Sequence, residues 1–432
     1  MKILINYTVL LLLLLIVPLG TSAQEAMNLS LKEAQDYALL NSAELKNAEI
    51  DLQLAKKKIW ETTAIGLPQV SGKASYQHIF ELPELVIPEM PPLPLGVKDN
   101  TTVDLTVSQL VFSGEYLVGL RASRVFYMIS DQAKEKTIYD TRESVANSYA
   151  LVLMLQSNLD VMNQSLENLN TMLNEMREMN KQGFVEITDV DQIELTTLTL
   201  QNGISSMERQ IKGATDLLKF QIGYPIDKEI NLTDNLEAMA GDVNLETLVS
   251  NGFKVENNIN YKIMDTQVKL NKLNLQRERS TYLPSLAAVY NHHQNFDENA
   301  LDFNPKDLFM LSLTVPIFSS GQRYVKVQQR SLEYDKAVNN KINAAQGLQL
   351  EYTNARNEML NAYETYNNVK KNLELTNRIY DKTLIKFREG LSTSMDLTQA
   401  QNQLLSAQSE YINNMNALLS AKNKMTKLTT IQ

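Results

Sequence analysis

A unit that occurs twice along the chain constrains the possible folds more than any other feature of the sequence. The segment VSQLVFSGEY, which begins at Val107, is followed about two hundred residues later by LTVPIFSSGQ. In each copy a second glycine lies 69 residues after the glycine of this segment, first at Gly114 and Gly183 and then at Gly321 and Gly390. An internal repeat of this length predicts two structurally equivalent halves.

Four short segments alternate between apolar and polar residues, which is the pattern of β-strands with two different faces. They are paired within the repeats and lie at about 67–80, 101–112, 283–295 and 307–318. An apolar face about ten residues long is typical of a strand in a membrane β-barrel. An edge sheet of a soluble domain would show the same alternation, so the pattern alone leaves both alternatives open.

After each strand pair the apolar period changes to alternating steps of three and four residues, which indicates helices packed as a coiled coil. The predicted helices are a long helix at 115–182 with a returning helix at 189–220, and a long helix at 322–389 with a returning helix at 396–428. At about 1.5 Å per residue, each long helix would extend for about 100 Å. A glycine marks the turn between each long helix and its returning helix.

The chain is predicted to divide into two repeats that follow a secretory signal peptide at 1–23, in which an apolar core precedes small residues. Repeat 1 covers 24–225 and repeat 2 covers 244–432, and each opens with a lead-in helix. The join at 226–243 is predicted to be non-helical, because glycine, proline and aspartate cluster around its start.

Composition excludes several classes of function. The chain has no cysteine and a formal net charge of −9, which excludes thiol chemistry and argues against a nucleic-acid partner. There is no His-Glu-x-x-His motif, phosphate-binding glycine loop or nucleophile elbow, so we expect neither an enzyme nor a bound cofactor. We interpret His292 and His293, near Asp297 and Glu298, as rim residues rather than as a metal site.

Four strands are too few to close a barrel, and an open sheet edge cannot face lipid because its backbone groups would have no partner there. The chain must therefore associate with further copies, and the barrel that they form would contact outer-membrane lipid. The expected fold is mostly α with a membrane β-barrel contribution. A barrel continued by long helices predicts a conduit.

The sequence resembles the TolC family of outer-membrane efflux channels over essentially the whole mature chain. The doubled unit carries this resemblance, together with the LPQV and LPSL strand starts, the FSG and FSSG junctions, and the turns GFVEITDVDQ and GLSTSMDLTQ. It implies a homotrimer with a twelve-stranded barrel in the outer membrane of a Gram-negative bacterium and an α-helical periplasmic tunnel. The implied function is the exit duct of a tripartite efflux or type I secretion system. The implied partners are a periplasmic adaptor and an inner-membrane transporter. A periplasmic coiled-coil adaptor or scaffold is the alternative.

The resemblance also implies where the periplasmic constriction lies. The first acidic position of the second-repeat turn corresponds to Asp396 and the next to Gln399, so half of an acidic pair is replaced. An arginine that links the repeats in the best-known member corresponds to Ser392, and its aspartate partner to Asp189. We therefore expect other contacts to hold this gate. Both aspartates also lie where they could cap the returning helices, and this alternative stays open.

The two helix-to-helix turns correspond to the adaptor-docking tips of the family. The candidate docking residues are Gly183, Phe184, Gly390 and Leu391. The glycines are expected to end the long helices with left-handed backbone. The candidate junctions between strand and helix are Phe112, Gly114, Phe318 and Gly321.

Overall fold

The computed structural model of the chain describes residues 27–85, 88, 93–94, 96–241, 243, 245, 252–296 and 304–429. The predicted signal peptide lies outside these residues, as do Asp297 and Glu298.

Helices account for most of the described residues, and the two longest contain 68 and 67 residues. The helices are α1 (Leu31–Asn41), α2 (Ala43–Ala64), α3 (Gly114–Lys181), α4 (Ile187–Ile222), α5 (Leu236–Gly241), α6 (Ile259–Ser280), α7 (Gln322–Arg388) and α8 (Ser394–Thr429), with a 3₁₀ turn at Val255–Asn257. In the described part of the chain, no helix combines the length and the apolar character needed to cross a membrane.

The strands form one four-stranded sheet and two short pairs. They are β1 (Met27–Leu29), β2 (Gln69–His78), β3 (Glu84–Leu85), β4 (Leu93–Pro94), β5 (Asp99–Ser113), β6 (Ile230–Leu232), β7 (Ser285–Asn295) and β8 (Asp307–Thr314). The large sheet has the order β2-β5-β7-β8 and is antiparallel throughout. It therefore joins the strand pairs of the two repeats through β5 and β7, and leaves β2 and β8 as its edges.

Three of the predicted elements differ in the structure. The join at 226–243, predicted to be non-helical, contains the short helix α5 at Leu236–Gly241. The fourth strand ends at Thr314 rather than near 318, because Pro316 has no backbone N–H and restricts the residue before it. The first lead-in segment, predicted as one helix, is broken at Ser42, which has extended backbone. Its first part begins at Ser30, which forms a reciprocal capping box with Glu33.

The chain separates into two compact units, and each unit contains segments of both repeats. The first unit consists of Met1–Ser42, Thr141–Leu245 and Met359–Asn423, and the second of Ala43–Asp140, Glu246–Glu358 and Lys424–Gln432. The division therefore does not follow the sequence repeat. The boundary between the units falls within α3, α7 and α8. Each of these helices has one part in the first unit and one part in the second.

In the first unit, the buried Tyr149 on α3 joins the start of the first repeat to the segment that follows that repeat. Its hydroxyl donates to the Leu29 carbonyl at 2.9 Å and accepts from the Asp234 N–H at 3.3 Å. The Asp234 carboxylate accepts from the Leu31 N–H at 2.6 Å. Burial raises the pKa of Tyr149 to about 12, so its hydroxyl keeps its proton and stays a donor. The parallel pair of β1 and β6 is held in place by these bonds.

In the second unit, the large sheet has one polar and one apolar face. On the polar face, the Asp104 carboxylate and the His293 Nδ1 lie 2.7 Å apart, and Thr106 donates to the Asn291 side-chain oxygen at 2.9 Å. The opposite face carries aliphatic and aromatic side chains that are exposed in the single chain, among them Val70, Tyr76, Leu105, Leu311 and Leu313. Such a contiguous apolar surface indicates a face that is covered in the working protein.

The end of α4 requires glycine for two independent reasons. Gly223 has a φ of 74°, and the next residue, Tyr224, donates its N–H to the Lys219 carbonyl at 2.8 Å. A Cβ at Gly223 would also lie 2.5 Å from the backbone oxygen of Asn41. Alanine at this position would therefore be strained and would displace the end of α1.

We expect Gly223→Ala to lower the free energy of unfolding by about 2 kcal/mol or more, since left-handed strain and overpacking add. Gly213→Ala is the matched control, because Gly213 lies within the same helix and a Cβ there meets no atom within 4 Å. We expect that control to raise stability by about 0.5–1 kcal/mol. Thermal unfolding followed by far-ultraviolet circular dichroism measures both. Equal melting temperatures for the two variants would contradict the packing described for Gly223.

Candidate functional site

The turn between α3 and α4 is a tightly closed glycine turn. Gly183 has a φ of 78°, and its N–H donates to the Asn180 carbonyl at 2.9 Å. The Phe184 N–H reaches back to the Met179 carbonyl at 2.9 Å, which completes a Schellman motif. The Asn180 side chain also donates to the Val185 carbonyl at 2.8 Å. Gly183 is therefore the helix C-cap that the sequence predicts.

The turn between α7 and α8 has the same backbone geometry. Gly390 has a φ of 72° and donates to the Phe387 carbonyl at 2.9 Å, while the Leu391 N–H donates to the Lys386 carbonyl at 2.8 Å. The two repeats therefore share the same backbone hydrogen bonds at their turns as well as the same residue spacing. Both turns belong to the first unit.

The two turns are held side by side by a shared apolar core. This core draws on all four helices that meet at the turns, and it consists of Met172, Leu173, Met176, Val190, Ile193, Tyr380, Leu397, Ala400 and Leu404. Most of these residues follow the alternating three- and four-residue spacing that predicts the coiled coil. Their burial therefore packs the turn of one repeat against the turn of the other.

A side-chain hydrogen bond also joins the two turns directly. Ser394, the first residue of α8, donates its hydroxyl to the carboxylate of Asp189 in the first turn of α4. Ser392, which corresponds to the linking arginine of the best-known member, instead donates to Asp396 at 3.1 Å. Asp189 thus keeps a partner in the opposite repeat, but that partner is a neutral hydroxyl two residues further along the chain.

Asp396 caps the helix that it lies in. Its carboxylate accepts from the N–H and the hydroxyl of Thr393, at 3.1 and 2.8 Å. Thr393 in return accepts from the Asp396 N–H at 3.1 Å, so the two residues form a capping box. These bonds, together with the Ser392 hydroxyl, hold the pKa of Asp396 below its usual range. Capping does not remove the side chain from solvent, because Asp396 is exposed.

Gln399, the remaining constriction candidate, and the residues at the tips of the two turns are all exposed. Gln399 lies one turn beyond Asp396 on α8 and is exposed. At the tips, Phe184 and Leu391 are 72% and 74% exposed. Ile187 and Met395 extend this apolar surface into the first turns of α4 and α8. Sequence reasoning missed these two residues and Ser394, although their position directly after each glycine turn could have indicated them.

The junctions between strand and helix are not equivalent in the two repeats. At Gly114 a Cβ would lie 2.6 Å from the Leu283 side chain, so this glycine permits close packing. Gly321 instead has a φ of 80°, and a Cβ added there would meet no atom within 4 Å, so its role is conformational. The neighbouring aromatic residues Phe112 and Phe318 are both exposed.

The family comparison covers nearly all of the chain. The model of the family described as outer membrane efflux protein matches residues 35–223 and 257–430, which cover most of both repeats. No curated protein sequence matches the chain. The matched family consists of channel proteins rather than enzymes, and it favours the duct over the periplasmic adaptor that the sequence left as the alternative.

Solved structures with the same fold include outer-membrane proteins and channels. CusC is 15% identical, with 93% of this chain and 92% of that chain covered and a TM-score of 0.77. VceC of Vibrio cholerae is 16% identical, with 92% and 95% covered and a TM-score of 0.73. CmeC of Campylobacter jejuni is 17% identical, with 92% and 85% covered and a TM-score of 0.76.

The shared fold and the family match together account for the doubled strand pair, the long helices and the paired glycine turns. The chain therefore belongs to the outer membrane efflux protein family, and it is an exit duct of the Gram-negative outer membrane with a helical periplasmic part.

Proposed function

We propose that three copies of the chain close one twelve-stranded barrel, in which β8 of each copy pairs with β2 of the next. The observation that carries this proposal is the four-stranded sheet with two open edges and an exposed apolar face. Within a bilayer, unpaired edge groups cost several kcal/mol each, so the edges must meet partners. The apolar face would contact lipid, and the face with Asp104 and His293 would line the lumen.

Charge on one face of β8 tests this arrangement. Leu311 lies on the apolar face and Ser312 on the polar face of the same strand. Leu311→Lys should abolish the trimer in outer-membrane fractions, because lysine facing lipid costs about 2–4 kcal/mol near the bilayer centre. Ser312→Lys should leave the trimer intact, since it faces water. Native mass spectrometry in mild detergent gives the readout, and a monomeric wild-type protein would contradict the proposal.

The partners that we propose are a periplasmic adaptor, which docks on the two glycine turns, and an inner-membrane transporter. The exposed apolar tips support docking, because Phe184 and Leu391 occupy equivalent positions and are largely uncovered. Exposed aromatic and aliphatic anchors of this kind are where binding energy concentrates in protein interfaces. The rigid Schellman turns present these side chains without a large entropic cost on binding.

We expect the double variant Phe184→Ser with Leu391→Ser to lose most of the adaptor that co-purifies from the native host after mild crosslinking. Trimer yield should stay normal, because both side chains are outside the core. Leu195→Ser is the matched control, since Leu195 is an exposed leucine of α4 away from the turn. Full adaptor recovery with the double variant would argue against docking at these turns.

We also propose that the hydrogen bond from Ser394 to Asp189 helps to keep the periplasmic end closed. Two observations support this role. Both residues lie where the returning helices begin, and they belong to different repeats. Asp396, Gln399 and Asp189 remain the proposed constriction residues. Asp396 and Gln399 are exposed on the first turns of α8. The carboxylate of Asp396 then serves as helix cap and as a pore group at once.

Ser394→Ala should increase the open fraction of the duct, because a hydrogen bond to a charged acceptor contributes about 1.5–3 kcal/mol. Single-channel conductance in planar bilayers measures this. Ser392→Ala provides the control, since the Ser392 hydroxyl contacts Asp396 and not Asp189. If the two variants conduct alike, the contact between Ser394 and Asp189 does not hold the gate.

A further inference from the structure

A cavity in the second unit lies where the strands join the helices, and none of the roles proposed above uses it. It has a volume of about 600 Å³ and is bounded by α2, α3 and α6. Leu110 and Ser113 of β5 also line it, and they pair with Ala287 and Ser285 of β7. These two β7 positions alternate in step with His293, so the cavity opens on the polar face of the sheet.

The cavity exists because α3 carries small side chains where it passes between α2 and α6. Gly119, Ala122 and Ser123 line this part of the space. A Cβ at Gly119 would meet only the Arg277 side chain, at 3.8 Å, so the helix surface there is open. The volume lies within the range of pockets that bind small organic molecules.

Contacts between α2 and α3 hold one wall of the cavity in place. The Tyr116 hydroxyl donates to the Thr63 carbonyl at 3.2 Å, and the Tyr116 N–H donates to the Ser113 hydroxyl at 3.2 Å. The Tyr116 ring also lies against Gly66, where a Cβ would be 2.5 Å from it. The wall is therefore formed before any molecule enters, which lowers the entropic cost of binding.

One acid and one base in the cavity lack hydrogen-bond partners of their own. The Arg277 Nε and a Glu115 carboxylate oxygen are 3.9 Å apart, which is beyond hydrogen-bond distance. Neither side chain makes another polar contact within the described residues. The other two charged residues of the lining, Lys58 and Glu61, are 2.8 Å apart and satisfy each other. Arg277 and Glu115 are therefore the charges available to a ligand.

Apolar surface lies beside this charged pair. Phe126 and Ile65 line the cavity and are 45% and 57% exposed, and Leu270 continues the apolar surface on α6. Asn274, about one helical turn from both Leu270 and Arg277, adds an amide that can donate and accept. The complementary ligand carries a cation and an anion close together on an apolar body.

We propose that this cavity binds small zwitterionic amphiphiles as they pass through the duct. The ligand's carboxylate accepts from the Arg277 guanidinium, its ammonium group donates to Glu115, and its apolar body packs on Phe126 and Leu270. Each charge then has a hydrogen-bonded partner, whereas a purely anionic or cationic ligand leaves Glu115 or Arg277 without one. The inference rests on the proposed function, because the polar face lines the lumen only in the closed barrel.

The test uses the trimer in nanodiscs and three probes that share a naphthyl body. They are naphthylalanine, which is a zwitterion, naphthylpropionate, which is an anion, and naphthylethylammonium, which is a cation. Equilibrium dialysis gives the bound fraction, and empty nanodiscs correct for partition into lipid. The wild type should bind the zwitterion about fivefold or more tightly than either other probe, since each of these lacks one charge-assisted contact.

Charge variants should change which probe binds best. Arg277→Gln should shift the preference to the cation and Glu115→Gln to the anion, because each variant leaves one charge in the cavity. Arg279→Gln is the control, since Arg279 is exposed on the same helix but does not line the cavity. Gly119→Leu fills the cavity and should abolish binding of all three probes, whereas Gly213→Leu, at an open position of α4, should not. An unchanged order of preference in both charge variants would overturn the inference.

A cysteine in the cavity tests its place in the lumen. The chain contains no cysteine, so Asn274→Cys introduces a single thiol per copy. A bulky maleimide-linked polymer attached there should lower conductance in planar bilayers, and saturating naphthylalanine should slow the labelling. Native mass spectrometry establishes the trimer beforehand, and a monomer at that stage would overturn the proposed trimer itself. A trimer that binds no zwitterion, or that keeps full conductance after labelling, would overturn only this inference.

Discussion

The backbone hydrogen bonds of the two edge strands are the constraint on which the rest of the structure depends. A four-stranded sheet with an apolar outer face cannot remain open in lipid, since the N–H and C=O groups of β2 and β8 would have no partner there. Closure with further copies, as proposed above, would satisfy those groups. Each chain brings two long helices and two returning helices to the duct.

The two repeats use one plan with different local chemistry. Both glycine turns have the same backbone bonds, yet only the second returning helix starts with a side-chain capping box, formed by Thr393 and Asp396. The Glu186 cap of the first has no such side-chain bond. This leaves Asp189 able to accept from Ser394 across the repeat boundary. The two repeats therefore differ at this point. The aspartate of the second repeat caps its own helix, whereas the aspartate of the first repeat accepts a hydrogen bond from the other repeat.

Much of the fold could be predicted because periodicity reports directly on which face of an element is buried. The heptad positions of α3, α4, α7 and α8 form the core at the turns, and the alternation in β5 and β7 separates a polar face from an apolar one. The errors lie where single residues override a pattern. Pro316 ends β8 early, and the extended backbone at Ser42 divides a segment whose pattern predicts one helix. The bulge in β5 between Leu110 and Phe112 has no signal in the alternation.

The sequence by itself determined the repeat, the strand and helix classes, the glycine turns and the need for further copies, because each of these follows from spacing along the chain. Only the tertiary structure decided which side chains meet across the repeats. The rotation of helices about their axes makes Ser394, rather than residue 392, the partner of Asp189. The register between strands decides that His78 and His292 each share a carboxylate with a tyrosine. Packing brings residues that are far apart in the chain into hydrogen-bond contact, and no local pattern encodes such a distance.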